Sequence, residues 1–225
     1  MPGDRLDASK NIAAIAMAAG AGSRFGYRPK SLLQRDGEAL IARQLRLLAE
    51  AGVPRVVVVL GHHAGRITAL LQGCKTQTPG EALTWTINPA PDDGPGSSLR
   101  CGLAQLPDEL DGVLVLLGDQ PLLEARDLRA VLRAWADRAP GIELVVPVHR
   151  GEPGHPLVFG RQARQAALAA QGGAGLREWR CAHPDRVQQL VVDHARCTTD
   201  IDTEADLARL ASEHGVRLSW PGQSE

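Results

Sequence analysis

Three short segments of the chain carry the residue types that phosphate chemistry needs. Residues 17–30 read MAAGAGSRFGYRPK. Gly20, Gly22 and Gly26 let backbone amides turn toward a bound anion with no side chain in the way, and Arg24 and Lys30 add positive charge. Lys30 is one of three lysines in a chain that otherwise draws its positive charge from arginine. A flexible ammonium suits a mobile β- or γ-phosphate. The plain alternative is a surface turn with incidental charges, since glycine-rich turns are common. Asp119 directly follows VLVLLG, so its carboxylate emerges from a buried strand end, where a hard cation with oxygen ligands could sit beside phosphates. Its competing role is to cap the GDQP turn, which Pro121 favours. In TTDIDT, residues 198–203, Asp200 and Asp202 alternate in an extended register and are expected to point to opposite sides, leaving one for the site. Asp202 is the one assigned to it. Thr203 and Asp206 have the spacing of a capping box, a role that coexists with metal binding by Asp202.

The elements that must position these residues follow from periodicity. Residues 12–18 form an apolar run of strand length entering the glycine loop. Residues 39–51 carry apolar residues at helical spacing and stop at Gly52 and Pro54. Further strands are expected at 56–60, 83–87, 112–117, 144–148, 157–159 and 187–192. Further helices are expected at 67–71, 97–106, 127–138, 161–170, 176–182 and 204–213. Such alternation makes an α/β, doubly wound, mostly parallel Rossmann-like sheet in one domain, with ligands at the carboxyl ends of the strands. The domain is taken as residues 12–214, with residues 1–11 a disordered extension and 215–225 a tail. The loops at 88–98, 118–121, 149–156 and 198–203 would converge with the glycine loop on one cleft.

Composition narrows the function classes. A net charge of −1 offers no field for gathering nucleic acid, and no apolar stretch reaches the length of a membrane span. The opening MPGDRLDASKN lacks the apolar segment of a secretory signal. The four cysteines, Cys74, Cys101, Cys181 and Cys197, form no CxxC pair or dense framework, which points to reduced thiols and a cytoplasmic protein without a zinc site.

Taken together, MAAGAGSRFG with Lys30, VVVLG, NPAPDDGPGSSL, LLGDQP, GEPGHP and DIDTEADL run in order across about residues 12 to 210. The series resembles the nucleotidyltransferases of the molybdenum cofactor cytidylyltransferase type. That resemblance implies a GT-A-like nucleotidyltransferase fold and transfer of a nucleoside monophosphate from its triphosphate to a phosphate-bearing acceptor, with release of pyrophosphate. It implies CTP as donor, since Ala18, Ala19 and Gly20 match the cytidine type of loop, and molybdopterin as acceptor, with a recipient molybdoenzyme or its chaperone as a further partner. It implies Mg2+, with Mn2+ as a substitute, on Asp119 and Asp202. Arg24, Lys30 and Asp119 would be the catalytic residues. The nucleotide would lie against Ala18, Ala19, Gly20, Ala21, Gly22, Ser23, Arg24, Lys30, Gly61, Ser97, Ser98 and Gly118. Ser97 and Ser98 have a helix-capping role as their alternative. Gln120, His155 and Arg177 would be the acceptor-side positions, although a histidine before proline also makes a rigid turn.

The chemistry agrees with the residue types. Magnesium would withdraw charge from the α-phosphorus, and the loop with its cations would neutralise departing pyrophosphate. An acceptor phosphate is already ionised near neutral pH, so no protein nucleophile or general base is required. Two departures from the family pattern stand out: Pro95, where a methionine is usual, implies a differently shaped loop, and Gly173, where GDxGxR has its aspartate, bears on the acceptor. Guanylyl transfer, or nucleotidyl transfer to another small phosphorylated acceptor, is the nearest alternative. A non-catalytic nucleotide-sensing module is another. A dehydrogenase is disfavoured because the second strand ends LGHH, with no acidic residue for an adenine ribose, and the sole tyrosine is Tyr27.

Overall fold

The computed structural model describes residues 11–75 and 82–222. In chain order these form β1 (Ile12–Ala18), the two-residue strands β2 (Gln34–Arg35) and β3 (Glu38–Ala39), α1 (Leu40–Glu50), β4 (Arg55–Leu60), α2 (Ala64–Lys75), β5 (Ala82–Ile87) and α3 (Pro95–Leu103). There follow β6 (Gly112–Leu117), α4 (Ala125–Ala136), β7 (Leu144–His149), β8 (Glu152–Pro153), β9 (Leu157–Phe159), α5 (Arg161–Ala169), α6 (Leu176–Ala182), β10 (Val187–Val191), α7 (Glu204–His214) and β11 (Leu218–Ser219). Residues 1–10, read above as part of an extension, lie outside the described residues. Asn11 already belongs to the sheet's edge network, accepting a hydrogen bond from the Asp111 amide.

The main sheet has the order β10-β7-β9-β6-β1-β4-β5, with β8 beside β7. β1 pairs in parallel with both β4 and β6, β4 with β5, and β7 with β10. β9 runs antiparallel between β6 and β7. Without β9, the parallel strands follow the 3-2-1-4-5-6 order of a dinucleotide-binding sheet, whose ligand crevice lies where the order reverses. Here the reversal falls between β1 and β6, the strands that deliver the glycine loop and Asp119.

Alternation of side chains sends each central strand into two cores. Ala14 and Ala16 of β1, Val58 of β4 and Leu116 of β6 face one, closed by α1, α2 and α4; Ile15, Val59 and Val115 face the other, closed by α3, α5 and α6. Each fully buried aliphatic side chain contributes about 1.5–3 kcal/mol through removal from water. The second core is thin over β1 because α3 carries Gly102 there. A Cβ at that position would stand 2.8 Å from Val59 Cγ2 and 2.9 Å from Ile15 Cγ2, so only glycine lets the helix lie this close.

A third, smaller core sits at the carboxyl edge of the sheet. It joins Phe25, Leu33, Leu40, Leu122, Ile201 and Leu210, with Leu218 and Trp220 packed against it. Val216, Leu218 and Trp220, from the stretch set apart above as a tail, take part in it, and β11 pairs antiparallel with β2 in a small sheet, β11-β2-β3. Among the described residues, no helix is long and apolar enough to cross a membrane.

Candidate active site

β1 ends in the glycine loop, which the sequence bends by two left-handed glycines. Gly22 (φ 63°) and Gly26 (φ 62°) bracket a 3-10 turn at Ser23–Phe25. The Gly22 carbonyl accepts the amides of both Phe25 and Tyr27, at 2.9 Å each, and a Cβ on Gly22 would collide with the Arg28 carbonyl. Glycine is therefore required at 22 by conformation and by space. Gly20 differs: no atom lies within 4 Å of where its Cβ would be, so its surface is open. The pocket at this end of the sheet is lined by Met17, Ala18, Gly20, Lys30, Ser31, Gly118 and Asp119.

Asp119 follows Gly118, whose amide donates to the Met17 carbonyl at 2.9 Å and keeps β6 locked to β1 up to the site. The Ile201 amide donates to the Asp119 carbonyl (3.3 Å), and the Ile201 side chain is wholly buried in the third core. That pair of anchors brings Asp202 to Asp119. The two carboxylates meet at one ammonium: Lys30 Nζ is 2.8 Å from Asp119 Oδ2 and 2.7 Å from Asp202 Oδ1. Arg24 Nη1 donates to the other Asp202 oxygen at 2.9 Å. The structure thus gathers Arg24, Lys30, Asp119 and Asp202.

Electrostatics follow the geometry. Burial alone would lower the Lys30 pKa, but the charges and hydrogen bonds of Asp119 and Asp202 outweigh it and raise the value above 10.5. The Lys30 hydrogen bond holds the Asp202 carboxyl below its ordinary value, against the opposing effect of burial and with help from the Lys30 and Arg24 charges.

Asp200 is not one of the two carboxylates that meet Lys30. Residues 198–202 form no strand, so strict alternation does not apply. The Asp200 carboxyl is pushed upward, first by desolvation and then by the charges of Asp119 and Asp202, which puts it within electrostatic reach of the same cluster. Asp206, noted only as a cap in the sequence, holds the loop: its Oδ2 accepts from the amides of Asp202 (2.9 Å) and Thr203 (2.7 Å). The capping box at Thr203 is formed as its spacing predicts.

The other assigned residues are placed as follows. A Cβ on Gly61 would press on the Ala19 carbonyl, and Pro91 Cβ lies 2.9 Å from the same point, so Gly61 seats the glycine loop against the 88–98 segment. Ser97 and Ser98 are buried and turn inward: Asn88 Nδ2 donates to their hydroxyls at 2.8 and 3.0 Å, and Ser97 Oγ donates to the carbonyls of Ala90 and Gly94. Gln120 is also internal, donating to the Cys197 carbonyl at 3.0 Å while its Oε1 lacks a partner. His155 is half-buried beside it, and desolvation, with the Arg180 charge adding, lowers its imidazole pKa to about 4. Arg177 is exposed at the start of α6. The sequence reading missed His63, whose Nε2 meets the Ala21 carbonyl at 2.8 Å and so buttresses the loop. LGHH as a pair of adjacent histidines at a strand end was the available signal.

A second cluster, Asp127, His194 and Cys197, brings three ligand atoms within 4.8 Å of one another. Arg196 occupies both Asp127 oxygens at 2.8 Å, and desolvation followed by the Asp127 charge pushes the Cys197 thiol up to about 12. Neutral thiol and occupied carboxylate make this a buried ion pair at the head of α4.

The donor chemistry at the first cluster fits a hard divalent ion. Two carboxylates from separate loops already converge on one cation, the Lys30 ammonium, and oxygen donors of this kind suit Mg2+ or Mn2+.

Known proteins share this architecture. The chain is 26% identical to Rv0371c from Mycobacterium tuberculosis, with a TM-score of 0.72 over 90% of this chain and 99% of that one. A structure of Rv0371c in complex with manganese superposes with a TM-score of 0.67 at 24% identity, over 90% and 99%. A nucleotidyl transferase from Methanothermobacter thermautotroptrophicus shares 24% identity and a TM-score of 0.71, over 91% and 97%. Among curated relatives, the bifunctional protein GlmU of Mycobacterium marinum is 37% identical over 123 residues, 52% of this chain. The chain spans only 24% of that relative's length. The model of the MobA-like NTP transferase domain matches residues 14–187, which hold the glycine loop, Asp119 and every strand of the reversal point, and the chain belongs to that family.

Proposed function

We propose that this nucleotidyltransferase-family protein transfers CMP from CTP to the terminal phosphate of molybdopterin, releasing pyrophosphate, for delivery of the product to a molybdoenzyme. The observation that carries the reading is the meeting of Asp119 and Asp202 at Lys30, at the sheet's point of reversal and beside an open Gly20. In the reaction, an acceptor phosphate oxygen bonds to the α-phosphorus as the bridging oxygen to the β-phosphorus departs with the pyrophosphate. Asp119 and Asp202 would hold Mg2+ or Mn2+, which supplies charge withdrawal from the triphosphate oxygens. The Ala18–Arg24 loop would bind the triphosphate through its amides, and Lys30 and Arg24 would neutralise the leaving group. Near-neutral ionisation of the acceptor leaves the protein no proton to remove.

A different small phosphorylated acceptor is the second reading, and Gly173 favours it. The family's aspartate is missing there, and a Cβ at 173 would lie 2.9 Å from the Asp93 carbonyl, so the neighbouring loop is shaped around glycine.

The test is a pyrophosphate-release assay with each of four nucleoside triphosphates, Mg2+ or Mn2+, and either molybdopterin or a panel of phosphorylated small molecules. CTP with molybdopterin is expected to release pyrophosphate. Release with another triphosphate or acceptor moves the assignment to the second reading. Nucleotide binding without release under any condition marks a sensing module and overturns catalysis.

A further inference from the structure

The third core is built from the sequence neighbours of the charged centre. Phe25 follows Arg24, Leu122 lies three residues beyond Asp119, and Ile201 precedes Asp202. Their burial in one small cluster orients the three loops together, so whatever closes that cluster acts on the centre. Trp220 packs against it. Its ring meets Phe25 edge-on with centroids 5.9 Å apart, and the Arg28 guanidinium lies 4.1 Å over the ring centroid. Arg28 in turn donates through Nε to the Phe25 carbonyl at 3.2 Å and reaches Glu204 at 3.6 Å. The segment bearing Trp220 is held in place by β11 on β2, the strand that follows Lys30.

We propose that Trp220 is a positioning residue for the phosphate loop: by clamping Phe25 and Arg28 it fixes the 3-10 turn that aims Arg24 at Asp202. It touches neither carboxylate. Its influence passes through packing on Phe25 and cation–π contact with Arg28, interactions that specify direction as well as area. The inference rests on the nucleotide-binding reading of the loop.

The test compares wild type, Trp220→Ala, Trp220→Phe and a control, Val131→Ala, which removes buried volume from α4 within the first core, a cluster that does not include Phe25 or Trp220. Nucleotide affinity is measured by equilibrium dialysis with Mn2+, alongside thermal midpoints and kinetics of pyrophosphate release. Trp220→Ala is expected to weaken triphosphate binding about tenfold, as loss of a supporting contact does, raising KM more than it lowers kcat. Trp220→Phe, which keeps the ring edge on Phe25, should recover most of the affinity. Val131→Ala should lose thermal stability with affinity unchanged. If Trp220→Ala loses only thermal stability, as the control does, or if Trp220→Phe gives no recovery, the positioning role is overturned while the functional reading stands. Failure of wild type to bind any triphosphate overturns both.

Discussion

Lys30 Nζ lies 2.7 Å from Asp202 Oδ1, although 172 residues separate the two in sequence. The same ammonium serves Asp119 at 2.8 Å, so one cation bridges two acids that would otherwise repel, with Arg24 adding a second positive charge on Asp202. A divalent ion held by these acids must displace the lysine, which is then available to a phosphate. Removing Lys30 should therefore have opposite effects on the two ligands. Lys30→Met is expected to bind Mn2+ more tightly than wild type, by electron paramagnetic resonance titration, and to bind triphosphate more weakly. Weaker Mn2+ binding by the variant would show that Lys30 organises the acids rather than competing for them.

The depressed Asp202 carboxyl makes stability depend on pH in a definite direction. Its ordinary value is 3.8, and the folded value lies below that, first through the Lys30 hydrogen bond. Such a group stabilises the fold fully above 3.8, and the contribution is lost as pH falls through the folded value. Asp202→Asn should be less stable than wild type at pH 6, and the gap should close as pH falls below 3.8 and through the lower folded value. Solvent screening at this half-exposed site limits the gap to roughly 1–3 °C in thermal midpoint. The raised Lys30 value has the mirror effect: stability present below 10.5 is lost as pH rises through the folded value. A gap independent of pH would mean that the pair contributes no linked proton.

Two glycines of one loop should respond differently to the same change. Gly22→Ala forces a side chain into left-handed backbone and onto the Arg28 carbonyl, which should cost about 1–3 kcal/mol and lower the thermal midpoint. Gly20→Ala meets open space, so the midpoint should hold while triphosphate binding weakens. Unchanged binding in a folded Gly20→Ala protein would remove the loop from contact with the phosphates.

The departures at 95 and 173 are not independent, because the two loops that carry them pack together. Arg100 donates to the Ala174 carbonyl at 3.1 Å and to the Gly172 carbonyl, and Gly173 faces Asp93 and Gly94. Gly173→Asp, which restores the family's residue, should lower stability by about 1–3 kcal/mol through overpacking. It would also set a third carboxylate near Asp92 and Asp93. A thermal midpoint equal to or above wild type would show that the loop accepts the aspartate without rearrangement.

The main sheet was legible because its strands are long enough for pattern to speak. The runs at 12–18, 112–117, 157–159 and 176–182 coincide with β1, β6, β9 and α6 in the structure, and most other boundaries differ by one or two residues. The larger departures are α3, which ends three residues before the expected 106, and α2, whose polar residues hid helix on both sides of 67–71. β2, β3 and β11 escaped notice because two residues carry no period. The antiparallel sense of β9 depends on pairing partners, which local sequence does not name. Within the site, residue types revealed Lys30, Asp119 and Asp202 as candidates, but their shared ammonium is a tertiary fact. Residues 198–202 form no strand, so the choice of Asp202 over Asp200 is carried by the Lys30 contact and not by alternation. Trp220 carried no signal, being separated from Phe25 by nearly the whole chain.

Asp119 hangs from β6, which is bordered by β1 on one side and β9 on the other. Amides in such an interior ladder exchange with solvent only when the whole domain opens, whereas loops at the rim exchange through local fluctuation. The floor of the site should therefore exchange more slowly than the loops that wall it. A substrate can draw in exposed side chains of the walls, such as Arg24, while the acid beneath keeps its place.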